Sequence, residues 1–230
     1  TSRDIIRLMK ATDVIIYTDM DGTALTDWSL GPVVPERNLA RIRSFVSAGG
    51  LFSVASGRQA PGILQLFPGV AFHAPLVCGN GSVIYDPAEQ QVLRKTCLPP
   101  DYKCACVSYF LTHPEVWIVA ADETRIWQIV SGDPARDDQL NDWPRPRMSI
   151  EDFLSGDYVK VVYILAEGGD MEALKHEVAA LPGAELVTGA QSGPRYLEMV
   201  DHTVSKGVGI RQALAAAGLE KRTLVCIGDY

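Results

Sequence analysis

The chain has 230 residues, 47% of them hydrophobic and 21% charged, and 21 Lys and Arg against 28 Asp and Glu leave a formal net charge of −7. That usage is ordinary for a globular chain and excludes disorder, collagen and coiled coil. The acidic excess makes the chain a poor candidate for sequence-independent nucleic-acid binding, which needs a basic face. No apolar run approaches the roughly 18 residues of a membrane span, and the opening TSRDIIRLMK lacks the apolar stretch of a signal peptide. Neither nucleic acid nor membrane is therefore an expected partner, and the oligomeric state is open. Five scattered cysteines cannot all pair, so a reducing, cytoplasmic location is expected. Cys97, Cys104 and Cys106 do not have the spacing of a zinc site.

Residues 14–18 (VIIYT) are apolar or β-branched and predict a buried strand. A loop with Gly22, Gly31 and Pro32 follows. Leu39, Ile42, Phe45 and Val46 share one face of a helix predicted over 36–48, which Gly49 and Gly50 stop. A second strand is predicted at 51–55, then a helix at 59–67 with Pro61 tolerated in its first turn, then a third strand at 75–78. Strand, helix, strand, helix, strand implies a parallel α/β sheet with right-handed crossovers.

From Ser82 to about Gly193 the rhythm changes. Strands are predicted at 82–85, 116–120, 125–130, 158–166 and 185–188, and helices at 101–111 and 171–181. This is α+β patterning, so 86–194 is expected to be an inserted domain, with 1–85 and 195–230 forming the first. The polar stretch 121–157, with Pro134, Pro144 and Pro146, reads as a solvated loop on the insert. His113, His176 and His202 read as surface or structural. The first rhythm then returns. Ser205 caps a helix running to Ala217, Gly218 ends it, and 223–227 is a strand before Gly228-Asp229-Tyr230.

Each strand of the first rhythm ends in small polar residues, and ligands of open parallel sheets bind beyond those ends. Strand one ends in Asp19-Met20-Asp21-Gly22-Thr23. Two carboxylates at i and i+2, leaving a buried strand, lie close without being equivalent. One can be a nucleophile or metal ligand and the other an acid/base. Gly22 supplies the backbone freedom of a tight turn. Strand two ends in Ser56-Gly57-Arg58, a hydroxyl, a bare backbone and a fixed cation that suit a phosphate. Strand three ends in Gly79-Asn80-Gly81. Lys206 stands in the first turn of a helix, where a cation opposes the helix dipole, and Asp229 offers a hard oxygen for a metal. Each string is commonplace alone, and a turn, a loop or a solvent-facing lysine accounts for it. The ordered set is not commonplace.

In that order the clusters resemble the motifs of haloacid dehalogenase (HAD) superfamily phosphatases, specifically the Cof-type branch with a large α/β cap (type IIB-like). DMDGT resembles the first motif, Ser56 in ASGR the second, Lys206 in SKG the third and Gly228-Asp229 the start of the fourth. The resemblance implies an α/β fold, a parallel Rossmann-like core sheet with an inserted α+β cap domain. It implies a Mg²⁺-dependent phosphomonoester hydrolase acting on sugar phosphates or similar small phosphorylated metabolites. Asp19 would be the nucleophile and Asp21 the acid/base. Thr23, Ser56, Gly57, Arg58, Asn80 and Lys206 would contact substrate or phosphate, and Asp19, Asp21 and Asp229 would hold the metal. The family's fourth motif reads GDxxND, so its second carboxylate would fall three positions past Tyr230, with the last strand–helix unit of the core. The missing initial Met and that ending lead to the expectation of a processed or partial chain that holds Mg²⁺ weakly and turns over little.

Three other readings stay open on the residues. A phosphomutase would isomerise rather than release phosphate. A non-catalytic phospho-ligand-binding protein would bind without turnover. A receiver-like domain would be phosphorylated on Asp19, although the large insert before Lys206 argues against it.

Overall fold

A computed structural model describes residues 10–25, 32–141 and 143–228. The described residues of Thr1–Arg94 and Ser205–Tyr230 form one compact unit and Lys95–Val204 the other.

In the first unit, Val14–Thr18 (β1) is central. It pairs in parallel with Leu51–Val54 (β2), Ile15 opposite Leu51 and Thr18 opposite Val54. On its other side it pairs in parallel with Thr223–Ile227 (β12). Leu76–Cys78 (β3) joins β2 through a parallel bridge, Ala55 to Val77, and the Ser56 N–H donates to the Val77 carbonyl at 2.9 Å. The chain then reverses. Val83–Asp86 (β4) runs antiparallel to β3, and Gln91–Lys95 (β5) lies beside β4. The crossovers are Glu36–Ser47 (α1) and Ala60–Leu66 (α2), the latter with Pro61 in its first turn. Ile15, Tyr17, Val77 and Ile84 pack with Ile210, Ala213 and Leu214 of the helix Lys206–Ala216 (α7). Each of the isoleucine, valine and leucine side chains contributes about 1.5–3 kcal/mol by leaving water. Because β1, β2, β3 and β12 are parallel, their carboxyl ends share one edge of the sheet.

The second unit has its own six-stranded sheet. Its strands are Val116–Ala121 (β6), Ile126–Ile129 (β7), Arg147–Met148 (β8), Lys160–Leu165 (β9), Val187–Gly193 (β10) and Tyr196–Asp201 (β11). They lie in the order β10-β11-β9-β6-β7-β8. All neighbours are antiparallel except β7 and β8. The helices Pro100–Thr112 (α3), Ile150–Ser155 (α5) and Met171–Ala179 (α6) put Tyr102, Phe110, Phe153 and Leu174 into one core with Ile118 and Tyr163 of the sheet. Trp117, Val119, Val162 and Ile164 form a second cluster with Leu140. The observed borders, 94/95 and 204/205, fall later than the expected 85/86 and 194/195. The reason is that β5 lies beside β4, while β11 pairs with β9.

Two expectations are corrected. The polar stretch 121–157 is not all solvated loop. It carries β7, the short helix Pro134–Asp137 (α4), β8 and α5. Caps organise it: Asp133 accepts from the Ala135 N–H and Ser149 from the Asp152 N–H, both at 3.0 Å. Leu140 is buried there, and the Trp117 Nε1–H donates to the Arg136 carbonyl. The strand expected at 185–188 begins instead at Val187, after a single turn Ala184–Leu186.

The turn between β6 and β7 has a pH signature. Asp122 Oδ1 accepts the N–H groups of Thr124 and Arg125 at 2.6 and 2.8 Å, and Oδ2 accepts the Trp127 Nε1–H at 2.9 Å. Partial burial pushes the Asp122 carboxyl up, but these donated bonds together outweigh it and hold the group below the ordinary carboxylate value. A depressed carboxyl stabilises above its unfolded pKa and stops doing so as pH falls through its folded value. Asp122→Ala should therefore cost on the order of 1 kcal/mol at pH 7, half-exposure limiting the loss. That deficit should shrink as the medium is acidified past the ordinary Asp range. Urea unfolding of both proteins across pH checks this, and a deficit constant with pH would contradict it.

Candidate active site

Asp19 follows β1 directly, and its N–H donates to the Ile227 carbonyl at 2.8 Å, so the pairing with β12 extends to it. Its carboxylate is nearly buried, at 8% residue exposure. Oδ1 accepts the Met20 N–H at 2.7 Å, and Oδ2 is ion-paired with Lys206 Nζ. The chain then makes the turn Met20–Ala24, closed by the Leu25 N–H on the Met20 carbonyl at 2.9 Å. Gly22 takes φ +74° there, a left-handed value that costs glycine nothing. The turn carries Asp21 and Thr23. Arg58 grips Asp21 with both arms of its fork, Nε to Oδ2 at 3.1 Å and Nη2 to Oδ1 at 2.8 Å. A bidentate pair of this kind fixes orientation as well as charge.

Ser56 is fully buried after β2, and its Oγ accepts the Arg58 N–H at 3.2 Å. After β3 comes the turn Gly79–Gly81, with Asn80 itself left-handed at φ +59°. Two backbone bonds tie this turn to the Ser56–Arg58 loop: Asn80 N–H to the Ser56 carbonyl at 3.0 Å, and Gly79 N–H to the Arg58 carbonyl at 3.1 Å. The Asn80 carboxamide lies against Gly57, where a Cβ would come within 2.9 Å of its Oδ1. Cys78 is adjacent but inert, because burial pushes its thiol up to about 12 and keeps it protonated. Lys206 opens α7, whose cap is Ser205: its Oγ accepts the Val208 N–H at 3.1 Å.

The sheet edge therefore joins Asp19 with Lys206, Asp21 with Arg58, and Ser56 and Gly57 with Asn80. Arg58, expected beside Ser56 as a contact for phosphate, has Asp21 as a partner. Asp229 lies outside the described residues. Two carboxylates meet two cations, so an incoming anion can draw on Lys206 and Arg58 only by sharing them. Ser205 was expected as a helix cap and Gly81 within the strand-three cluster, but the backbone contact between them that seats α7 was not; the one signal for it was the second glycine of Gly-Asn-Gly. Two histidines of the second unit have local partners: His113 stacks on Tyr109 with ring centroids 3.8 Å apart, and His202 Nδ1 lies 2.9 Å from the Leu186 carbonyl oxygen. Among the described residues no group of three or more His, Cys, Asp or Glu forms a metal cluster. None of their helices is long and apolar enough to cross a membrane.

The donor chemistry at this edge fits Mg²⁺, which prefers hard oxygens. The Asp19 carboxylate is one such donor. The Asp21 carboxylate, also a hard-oxygen donor, is engaged by Arg58.

Residues 16–230 match the family model described as haloacid dehalogenase-like hydrolase. The chain is 25% identical over 219 residues to the 5-amino-6-(5-phospho-D-ribitylamino)uracil phosphatase YbjI of Escherichia coli K12, covering 94% of this chain and 78% of YbjI. Its fold is similar to that of BT4131, described as a HAD subclass IIB sugar phosphatase, with a TM-score of 0.72 at 15% identity over 93% of this chain and 79% of the other. It is also similar to BT1666 of Bacteroides thetaiotaomicron, a phosphatase of the same superfamily, with a TM-score of 0.74 at 15% identity over 96% and 78%.

Proposed function

The chain belongs to the haloacid dehalogenase-like hydrolase family, and on that premise we propose that it is a Mg²⁺-dependent phosphatase of small phosphorylated metabolites, sugar phosphates among them, working through an aspartyl-phosphate. The observation that carries this reading is the pairing of a nearly buried Asp19 with Lys206 at the carboxyl end of β1. A carboxylate shielded from water and held by a cation is oriented for attack, and the same cation can meet the phosphoryl oxygens.

Asp19 attacks phosphorus through one carboxylate oxygen, and the bond from phosphorus to the ester oxygen breaks. Asp21 gives its proton to the leaving alcohol. It then takes a proton from a water that attacks the acyl-phosphate, freeing inorganic phosphate and restoring Asp19. For this, Asp21 must be protonated at the first step, so its grip on Arg58 has to loosen as substrate arrives; phosphate oxygens are the natural competitor for that guanidinium. Ser56, Lys206, Thr23, Gly57 and Asn80 are proposed to hold the phosphoryl group and substrate. Asp19, the Asp21 carbonyl and Asp229 would hold Mg²⁺, whose positive charge would offset the negative charge of the phosphoryl oxygens. The net charge of −7 makes this local positive well necessary for an anionic substrate. The insert, read from sequence as 86–194, is proposed as the cap that selects the leaving group, and a cytoplasmic location goes with the reading.

Phosphate release from a panel of sugar phosphates, with Mg²⁺ and after chelation, is the test. Release that stops on chelation and returns with Mg²⁺ is expected. Isomerised product without free phosphate would point to a mutase instead, and binding without any turnover to a phospho-ligand sensor.

A further inference from the structure

We propose that Gly81 is a positioning residue for this reaction: its bare backbone lets the first turn of α7 seat on the Gly79–Gly81 turn, and that seating sets the reach of Lys206 to Asp19. The inference rests on the phosphatase reading above and deepens it.

Gly81 has φ +104°, and a Cβ there would lie 2.2 Å from the Ser205 carbonyl oxygen and 2.5 Å from the Ser205 carbonyl carbon. Both are backbone atoms, so no side chain can swing aside to make room. Ser205 is also the cap of α7, holding the Val208 N–H. Moving it loosens the helix start, and Lys206 is the next residue. One turn further along, Gly209 repeats the close approach: a Cβ would come within 2.5 Å of Val77 Cγ1 and 3.1 Å of Gly81 Cα. The helix thus meets β3 and its turn at two positions without side chains.

The other side of the same turn is fixed as well. Gly79 and Asn80 donate to the carbonyls of Arg58 and Ser56. Three residues therefore set both the loop that carries Ser56 and Arg58 and the helix that carries Lys206. A methyl group at position 81 must push these two apart. The Lys206 ammonium, ion-paired with Asp19, is what the displacement moves. A misplacement on the order of 1 Å can cost about 10²-fold in rate.

A double-mutant cycle tests this, with p-nitrophenyl phosphate turnover in Mg²⁺ and inorganic phosphate affinity as two readouts. The proteins are wild type, Gly81→Ala, Lys206→Ala and the double variant. Gly81→Ala is expected to lower kcat by about 10²-fold while keeping a cooperative unfolding transition. In the Lys206→Ala background it should cost nothing more, within about twofold, because its effect passes through Lys206. Phosphate affinity should show the same non-additivity, which a general loss of structure would not produce. Unchanged kcat in Gly81→Ala, or losses that add to those of an impaired Lys206→Ala, would overturn the role of Gly81 alone. Unimpaired Lys206→Ala would instead overturn the phosphatase reading of Lys206. If Gly81→Ala does not fold, Gly209→Ala replaces it in the cycle, since alanine suits a helix interior and its methyl meets the same turn. A loss of about tenfold, again absent without Lys206, is then expected; full activity or an additive loss would overturn the proposal.

Discussion

Asp19→Asn should lower kcat by about 10⁴-fold or more, because an amide cannot replace the attacking carboxylate and removal of a nucleophile is among the largest single losses an enzyme shows. The fold should survive. The asparagine Oδ1 can still accept the Met20 N–H, which now meets Asp19 Oδ1 at 2.7 Å. The lost partner is Lys206, whose side chain is one-third exposed and can turn to solvent. The change in unfolding free energy should be about 1 kcal/mol or less. Steady-state kinetics beside thermal unfolding checks both halves. Most of the activity retained would remove Asp19 from the nucleophile role; a collapsed unfolding transition would show that its buried position serves stability first.

Asp21→Asn should behave differently. Only the side chain is proposed to move protons, an effect typically worth about 10²–10⁴-fold, while the main-chain carbonyl is unchanged. The expected result is kcat lowered in that range with KM within a few-fold of wild type. Arg58 adds a second consequence. Its two-armed hold on Asp21 needs two acceptor oxygens, and asparagine has one. The freed arm becomes available to substrate phosphate, so binding should be held or strengthened. Unchanged kcat with a shifted KM would contradict the acid/base assignment.

The parallel core was legible because its strands are short apolar runs bounded by glycine or polar clusters. β1 and β12 fall at the expected residues, and α7 begins one residue after the expected cap, Ser205. β5, β8 and β11 were passed over; β11 reads YLEMVD and buries Leu197, Met199 and Val200, so its apolar signal was there to be read, whereas the other two lack one. β5 reads QVLRK and is exposed along most of its length, so neither alternation nor burial marks it. β10, expected over 185–188, runs on to Gly193; it reads VTGAQSG and is mostly exposed after its first residue, so its extent comes from hydrogen bonding to β11, not from its own pattern. β8 has two residues, too few for any periodicity.

At the candidate site the residue types were legible and the pairings were not. Clusters at the carboxyl ends of parallel strands share an edge, which follows from sheet geometry, and those after β1, β2 and β3 do so. That Arg58 would hold Asp21, 37 positions earlier, depends on the turn that Gly22 allows and on the Ser56–Arg58 loop. Neither is visible in a Ser-Gly-Arg string. The seating of α7 on Gly81 depends likewise on a long-range backbone contact. A glycine read singly says only that some freedom or closeness is needed, not what approaches it.

The most direct measurement of the central claim is peptide mapping after rapid acid quench of the protein turning over a phosphate ester with Mg²⁺. One phosphoryl group is expected on Asp19, labile to hydroxylamine as an acyl-phosphate is, and absent from Asp19→Asn. Phosphate release in the steady state with no acid-trapped phosphoryl group on Asp19, or with the label on another residue such as Ser56, would contradict it.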